Sequence, residues 1–474
     1  MTNLNGIIKS IRDIMRTDGL STDVQRIEQL GWMIFLKIFD DKDIEMELLS
    51  DDYVSPIPAH LQWRNWAAND EGMTGDELLK FVNNTLFEGL KNLSVNSPRA
   101  IFIREIFDNT HNLMRSGTEL RKVINKLNKI DFNSSKDKHL FGDIYEKMLE
   151  GLGHKKDSGA FYTPRAITQF ITDIVNPKLG EVIFDPACGT GGFLTSAIEH
   201  IRVNEVKSIE DREILQNTIK GIEDAPLPYM LCLTNLILHD IEVPNILCDD
   251  TLARELTSIK QQDKVDCILA NPPFGGNVKD GIETNFPLNY RTKESADLFL
   301  ILMIQYLKNN GRAGIVLPDG SLTGDGVKAR IREKLLTDCN LHTIVRLPNS
   351  VFQPYASVAT NLLFFTKGEP TKEVWYYEHK LPGGQKAYSK TKPIKISEFD
   401  TLKEWWNDRK ENEQAWKVDI QTIKDNGYNL DIKNPHKEEE DELHSSVELL
   451  DMLHKSFAKS EELLEQLKRE LVHG

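Results

Sequence analysis

Two short stretches of this chain combine residue types that could do chemistry on a planar nitrogen. One is Asn271-Pro272-Pro273-Phe274, which follows the apolar run Val265 to Leu269. An exocyclic amine on an aromatic ring is a poor nucleophile, because its lone pair is delocalised into the ring. The Asn271 side-chain oxygen and the Pro272 carbonyl could hold both amino hydrogens and localise that pair. Prolines remove backbone donors and fix the turn, and Phe274 offers a face on which an extruded base could stack. The plain alternative is a Pro-Pro turn with a buried phenylalanine. The other stretch is Asp185-Pro186-Ala187-Cys188-Gly189-Thr190-Gly191-Gly192-Phe193, directly after Val182 to Phe184. Glycines at a strand-to-helix turn let backbone approach a ligand, and the helix N-terminus favours negative charge. Tight turns also need glycine for steric reasons alone. Asp185 ends one strand and Glu223 the next, where it could accept hydrogen bonds from ribose hydroxyls. A dinucleotide fold wants G-x-G-x-x-G with its acid about 20 residues further on. Here the third glycine is displaced and Glu223 lies too far along, so NAD fits poorly. A nucleoside carrying an amino-acid carboxylate, S-adenosylmethionine, fits better.

These residues need a frame, and the hydrophobic pattern supplies one. From about 158 to 370, short apolar runs recur: Val182 to Phe184, Ile219 to Ile222, Ile246-Leu247, Val265 to Leu269, Ala313 to Leu317, Ile344-Val345 and Leu362 to Phe365. Helical patterns separate them at Phe193 to Val206, Tyr229 to His239, Asp297 to Leu307 and Val327 to Leu336. Such alternation predicts an α/β fold with a doubly wound, mostly parallel sheet, which binds ligands outside the carboxyl ends of its strands. Residues 1–150 read as a helical N-terminal domain, with 3.6-period runs at Ile27 to Ile38, Leu120 to Leu127 and Leu140 to Leu149. Residues 151–370 form the sheet domain. Residues 371–440 read as an irregular extension and acidic linker with one edge-strand candidate, Val374 to Tyr377. Residues 441–474 carry a heptad-like seam (Leu443, Val447, Leu450, Leu453, Phe457, Leu464, Leu467, Leu471), which can close on its own protein or on another chain.

Composition narrows the class. The 474 residues include 58 lysines and arginines against 73 aspartates and glutamates, a net charge of −15. That balance argues against nucleic-acid binding by bulk charge but leaves room for a local basic surface or a partner that supplies one. No apolar run reaches the ~18–20 residues needed to cross a bilayer, and no secretory signal is read at the N-terminus. The five cysteines are scattered without Cys-x-x-Cys spacing, and the one His-x-Glu, His436 to Glu438, has no cysteine after it. A cytoplasmic protein with reduced thiols and no metal site is expected. There is no G-x-x-x-x-G-K-[ST], so no ATP-driven translocase is read here.

Together, Asp185 to Phe193 and Asn271 to Phe274 resemble the amino-group DNA methyltransferases that modify adenine at N6. More narrowly, the chain resembles the modification (M) subunit of type I restriction–modification systems. Gly159 to Arg165 resembles that family's cofactor-side motif, and Cys248-Asp249-Asp250-Thr251-Leu252 its third strand end. Gly311 to Pro318, Leu347-Pro348 through Phe352, and Thr360-Asn361 to Phe365 match its later strands. The resemblance covers nearly the whole chain. Ala160 departs from it where a polar or acidic residue is expected, and Asp249 stands where relatives often have glycine, so Asp250 is taken as the adenine-side ligand. The resemblance implies S-adenosylmethionine contacts at Ala160, Phe161, Tyr162, Thr163, Pro164 and Arg165, at Asp185, Gly189, Thr190, Gly191 and Gly192, and at Glu223 and Asp250. It implies that Asn271, Pro272, Pro273 and Phe274 carry the target adenine. It also implies DNA as substrate and a specificity subunit. With only about a hundred residues after the sheet, too few for a large target-recognition domain, sequence reading is expected to be delegated to that partner, docked partly by residues 443 to 471. Two M subunits per complex and a separate restriction subunit complete that assembly. A rival reading is methylation of protein glutamine or of RNA bases, where a planar nitrogen poses the same problem. A second is a methyltransferase fold kept only as an assembly module.

Overall fold

The computed structural model describes residues 4–132, 163–353, 358–389 and 391–436, with scattered residues between 450 and 461. It divides into two bodies, Met1–Ile432 and Lys433–Gly474.

In the first body, the N-terminal block is helical, as its periodicity predicts. Helix Asp23–Leu49 is opened by a capping box in which Thr22 and Gln25 satisfy each other's backbone N–H groups. Trp32 to Leu36 are all buried, so this helix is enclosed by its neighbours rather than lying at a surface. Helix Gly117–Leu127 buries Leu120, Val123, Ile124 and Leu127 completely. The run at Leu140 to Leu149 lies outside the described residues.

A nine-stranded sheet follows. Its strands are β1 (Ile183–Asp185), β2 (Ile219–Glu223), β3 (Ile246–Cys248), β4 (Val265–Ala270), β5 (Leu307–Pro318), β6 (Cys339–Leu347), β7 (Thr360–Lys367), β8 (Glu373–Glu378) and β9 (Ala415–Asp419), in the order β3-β2-β1-β4-β5-β7-β6-β8-β9. Strands β1 to β5 are parallel, and β7 runs antiparallel between β5 and β6. The seven apolar runs read from sequence correspond to β1 to β7. The sheet does not stop at residue 370: β8 pairs parallel to β6, and β9 pairs antiparallel to β8. Tyr376 stacks on Trp416 at 5.2 Å across that last pair. The stretch expected to be an irregular extension thus contributes two strands, because its aromatic residues bury against the sheet.

Helix Pro226–Leu238, which leaves β2, carries the N-terminal block. Gly31 lets Met230 approach so closely that a Cβ there would meet its Cε at 2.6 Å, and the Tyr229 hydroxyl donates to Glu105 Oε2 at 2.6 Å. In the second body, Leu450, Leu453 and Phe457 lie on helical backbone and are more than half exposed. The other expected members of that seam lie outside the described residues.

Candidate active site

Parallel pairing brings the carboxyl ends of β1, β2, β3 and β4 to one edge, and the strand order reverses between β1 and β4. That reversal opens a crevice for ligands. A cavity of about 440 Å³ occupies it, within the range of small-molecule sites.

The glycine turn forms its floor. Asp185 ends β1 and accepts the Ala187 N–H at 3.1 Å. The Cys188 N–H donates to the Ile222 carbonyl, tying the turn to β2. Gly191 sits at φ +83° as the cap of helix Gly192–Asn204, and a Cβ there would lie 2.9 Å from Cys232 Sγ. Both the backbone angle and the space demand glycine. Glu223 ends β2 and accepts N–H bonds from Gly189 at 2.8 Å and Ala225 at 3.0 Å.

The cavity is acidic. Asp185, Glu223, Asp224, Asp249 and Asp250 all line it. Burial pushes the Asp185 carboxyl up to about 8, with the Glu223 charge adding to the effect. Burial also raises Glu223, to about 7, with Asp224 beside it. Asp249 is engaged by Arg254 at 3.3 Å, whereas Asp250 caps the next turn through one oxygen, donated to by the Leu252 N–H. Asp250 is the less exposed of the two.

Asn271 follows β4 at the opposite wall. Its Nδ2 donates to Thr163 Oγ1 at 2.8 Å. Its Oδ1 is buried with no hydrogen-bond partner among the described residues. A buried acceptor without a partner costs about 1–3 kcal/mol, so such atoms mark places where a donor arrives. Ser295 Oγ donates to the Pro273 carbonyl at 3.0 Å and holds the turn. Phe274 is 9% exposed and meets Phe352 edge to face at 6.0 Å.

Most of the residues expected from sequence converge here. Thr163, Asp185, Gly189, Thr190, Gly192, Glu223, Asp250, Asn271 and Pro273 line the cavity. Gly191, Pro272 and Phe274 are not among the lining residues, though each adjoins one that is. Pro164 caps helix Arg165–Val175. Arg165 does not line the cavity; its guanidinium donates to Thr195 Oγ1 at 2.9 Å, bracing the helix that follows the glycine turn. Ala160, Phe161 and Tyr162 lie outside the described residues. Lining residues that sequence reasoning missed include Asp224, Pro228 and Phe299, together with Phe352 facing Phe274. Their signal is three-dimensional, apart from Asp224, which simply adjoins Glu223.

With the site built, its relatives can be compared. Residues 136–443 match the N-6 DNA methylase family, and residues 4–127 match the HsdM N-terminal domain. The chain belongs to the N-6 DNA methylase family, as a type I methylase subunit. This methylase is 53% identical over 478 residues to the methylase subunit of the EcoEI type I restriction enzyme of Escherichia coli, covering 98% of this chain and 97% of the relative. A crystal structure of a modification subunit from Vibrio vulnificus YJ016 superposes with a TM-score of 0.83 at 43% identity, covering 92% and 97% of the two chains. A chain from a structure of a type I R-M system, titled for complex assembly and conformational transition, gives 0.84 at 34% identity, covering 99% and 98%.

The methylase's own residues suit an S-adenosylmethionine-type ligand. An ammonium and a sulfonium are both cations, and five acidic residues against one lysine, Lys279, line the cavity that would receive them. The glycine turn leaves backbone exposed beside them, and the unpaired Asn271 oxygen stands across the same space. Among the described residues no His/Cys/Asp/Glu group is arranged to hold a metal ion, and no helix is long and apolar enough to cross a membrane.

Proposed function

We propose that the chain methylates the N6 amino group of an adenine extruded from DNA, with S-adenosylmethionine as methyl donor. It does so as the modification subunit of a type I complex whose specificity subunit reads the DNA sequence. The complex holds two modification subunits, is joined by a restriction subunit for cleavage, and works in the cytoplasm, where the five free cysteines stay reduced. The observation that carries the reading is the Oδ1 of Asn271, buried and without a partner among the described residues, beside the acidic cavity and next to two prolines and an aromatic ring.

When bound, S-adenosylmethionine supplies an electrophilic methyl on a good leaving group. The chain's part is positioning. Asn271 Oδ1 and the Pro272 carbonyl accept the two amino hydrogens and draw the nitrogen lone pair out of the ring. Phe274 takes the face of the extruded base, and Phe352 sets the tilt of Phe274 by its edge-to-face contact. Glu223 and Asp250 accept from the ribose and the cofactor adenine, and Asp185 faces the ammonium end. Neither amide oxygen is basic enough to keep a proton, so the amine loses its displaced proton to water.

The test uses labelled S-adenosylmethionine and unmethylated DNA, with the purified chain alone and with whatever co-purifies from its native cells. The expected product, after digestion to nucleosides, is N6-methyladenosine in the co-purified sample only. Label in DNA from the chain alone would remove the delegated reading of sequence. No label in DNA from either sample would redirect the assignment to protein glutamine or RNA.

A further inference from the structure

A chain with a net charge of −15 that meets DNA does so through a local basic surface, its own or its partner's, and one stretch of this chain is locally basic. From His379 to Ser397 there are five lysines (Lys380, Lys386, Lys390, Lys392 and Lys395) and no aspartate or glutamate. Lys380, Lys386, Lys392 and Lys395 are all exposed, and among the described residues none is ion-paired.

This segment leaves the carboxyl end of β8. Because β8 runs parallel to β6, and β6 and β5 are both antiparallel to β7, it emerges on the same edge as the active site. It is also pinned in place. Tyr388, 2% exposed, donates its backbone N–H to Ser350 Oγ at 2.9 Å and its hydroxyl to Glu398 at 2.5 Å. His379 Nε2 lies 3.1 Å from that hydroxyl and stacks on Phe399, which stacks on Phe170. Glu398, the acid that follows the segment, is turned inward by that contact, and Glu378, the acid that precedes it, is half-buried. Ser350 belongs to the turn that carries Phe352, whose ring abuts Phe274. Two residues of chain span at most about 7 Å, so, with the side-chain reaches included, Lys386 lies within roughly 28 Å of the Phe274 ring, about eight base-pair steps of 3.4 Å.

We propose that the Lys380–Lys395 segment is a phosphate-contacting surface that holds the DNA duplex flanking the target base. This rests on the DNA methyltransferase reading above. The favoured occupant is DNA rather than a protein partner, because whatever covers this edge lies beside the extruded base, and four exposed lysines with no ion pair among the described residues suit a row of phosphates.

The test compares the complex of this chain and its specificity partner with one carrying K380Q, K386Q and K392Q. Binding to a 30-base-pair duplex is followed from 50 to 300 mM KCl, alongside methylation of unmethylated genomic DNA. Each lost phosphate contact lowers the slope of log K against log salt by about 0.9, so a fall of about 2–3 and an affinity loss of about 10- to 100-fold near 0.15 M salt are expected. Affinity for S-adenosylmethionine should stay unchanged, and the triple arginine variant should bind DNA like the parent. An unchanged slope in a complex that still methylates DNA would overturn the surface and leave the function standing. Loss of the specificity partner on purification, with the slope intact, would assign the surface to protein and overturn it too. A parent complex that labels no DNA would instead bring down the reading on which this rests.

Discussion

Thr163→Val removes one oxygen atom and keeps the shape of the side chain, so it asks what holds the Asn271 amide. In the structure, Asn271 lines the cavity, its Nδ2 donates to the Thr163 hydroxyl at 2.8 Å, and its buried Oδ1 has no partner among the described residues. Without the hydroxyl, the amide loses about 0.5–1.5 kcal/mol of orienting energy. Its two flipped states then approach equal population, and in one of them an N–H points at the incoming amine. Equal population halves the productive fraction at most, so this loss alone lowers kcat about 2-fold, and any drift of the amide from its productive place adds to this. The assay is methyl transfer to DNA at saturating S-adenosylmethionine, with cofactor affinity measured separately by calorimetry, since Thr163 also lines the cavity. Thr163→Ser restores the acceptor and should return kcat to near the parent value. The reasoning is refuted if Thr163→Val keeps the parent kcat, or if Thr163→Ser is as slow as Thr163→Val while both bind cofactor normally.

Asn271→Ala deletes the acceptor itself. By analogy with the loss of one oriented group from an oxyanion hole, kcat should fall about 10²- to 10³-fold or more, with cofactor affinity largely intact by calorimetry. Loss of both would mean that Asn271 belongs to the cofactor wall instead. The acidic cavity predicts a pH effect. Asp185 and Glu223 are raised to about 8 and about 7 from ordinary values of 3.8 and 4.5. The folded, ligand-free protein therefore holds protons that the unfolded chain releases, and these two groups reduce its stability as pH rises from about 4 to about 8. A cationic ligand favours the ionised carboxylates, so the rise in Tm on adding S-adenosylmethionine should be larger at pH 8 than at pH 5.5. An equal shift at both values, by differential scanning calorimetry, would count against ionised carboxylates as its partners.

The strands that build the site are legible in sequence because each ends on a residue that breaks the apolar run: Asp185, Glu223 and Asn271. An apolar run does not encode its own direction, so the antiparallel course of β7 is not visible in Leu362 to Phe365. Strand β9 escapes notice because Ala415 to Asp419 alternates with lysine and aspartate and buries only through pairing with β8. The link from Thr163 to Asn271 joins residues 108 positions apart, and Phe352 reaches Phe274 from a different turn. Such pairings depend on how strand ends converge, which local pattern does not carry. Arg165 shows the converse: its motif is plain, yet its guanidinium braces Thr195 rather than facing the cavity.

The lone acceptor on Asn271 also counts hydrogens. With the Pro272 carbonyl beside it, an unmodified amine has one hydrogen for each oxygen, whereas a monomethylated amine has one for two. A second methylation would leave a buried acceptor unmet at about 1–3 kcal/mol, a factor of roughly 5 to 150 at 1.4 kcal/mol per tenfold. The same arithmetic weakens the grip on the product, so the base is released after one transfer. DNA treated until each target has been methylated about once should then contain N6-methyladenine in roughly 5- to 150-fold or greater excess over the dimethylated base by mass spectrometry. A base with a carbonyl in place of the amine is refused for the same reason, since it brings an oxygen to face an oxygen.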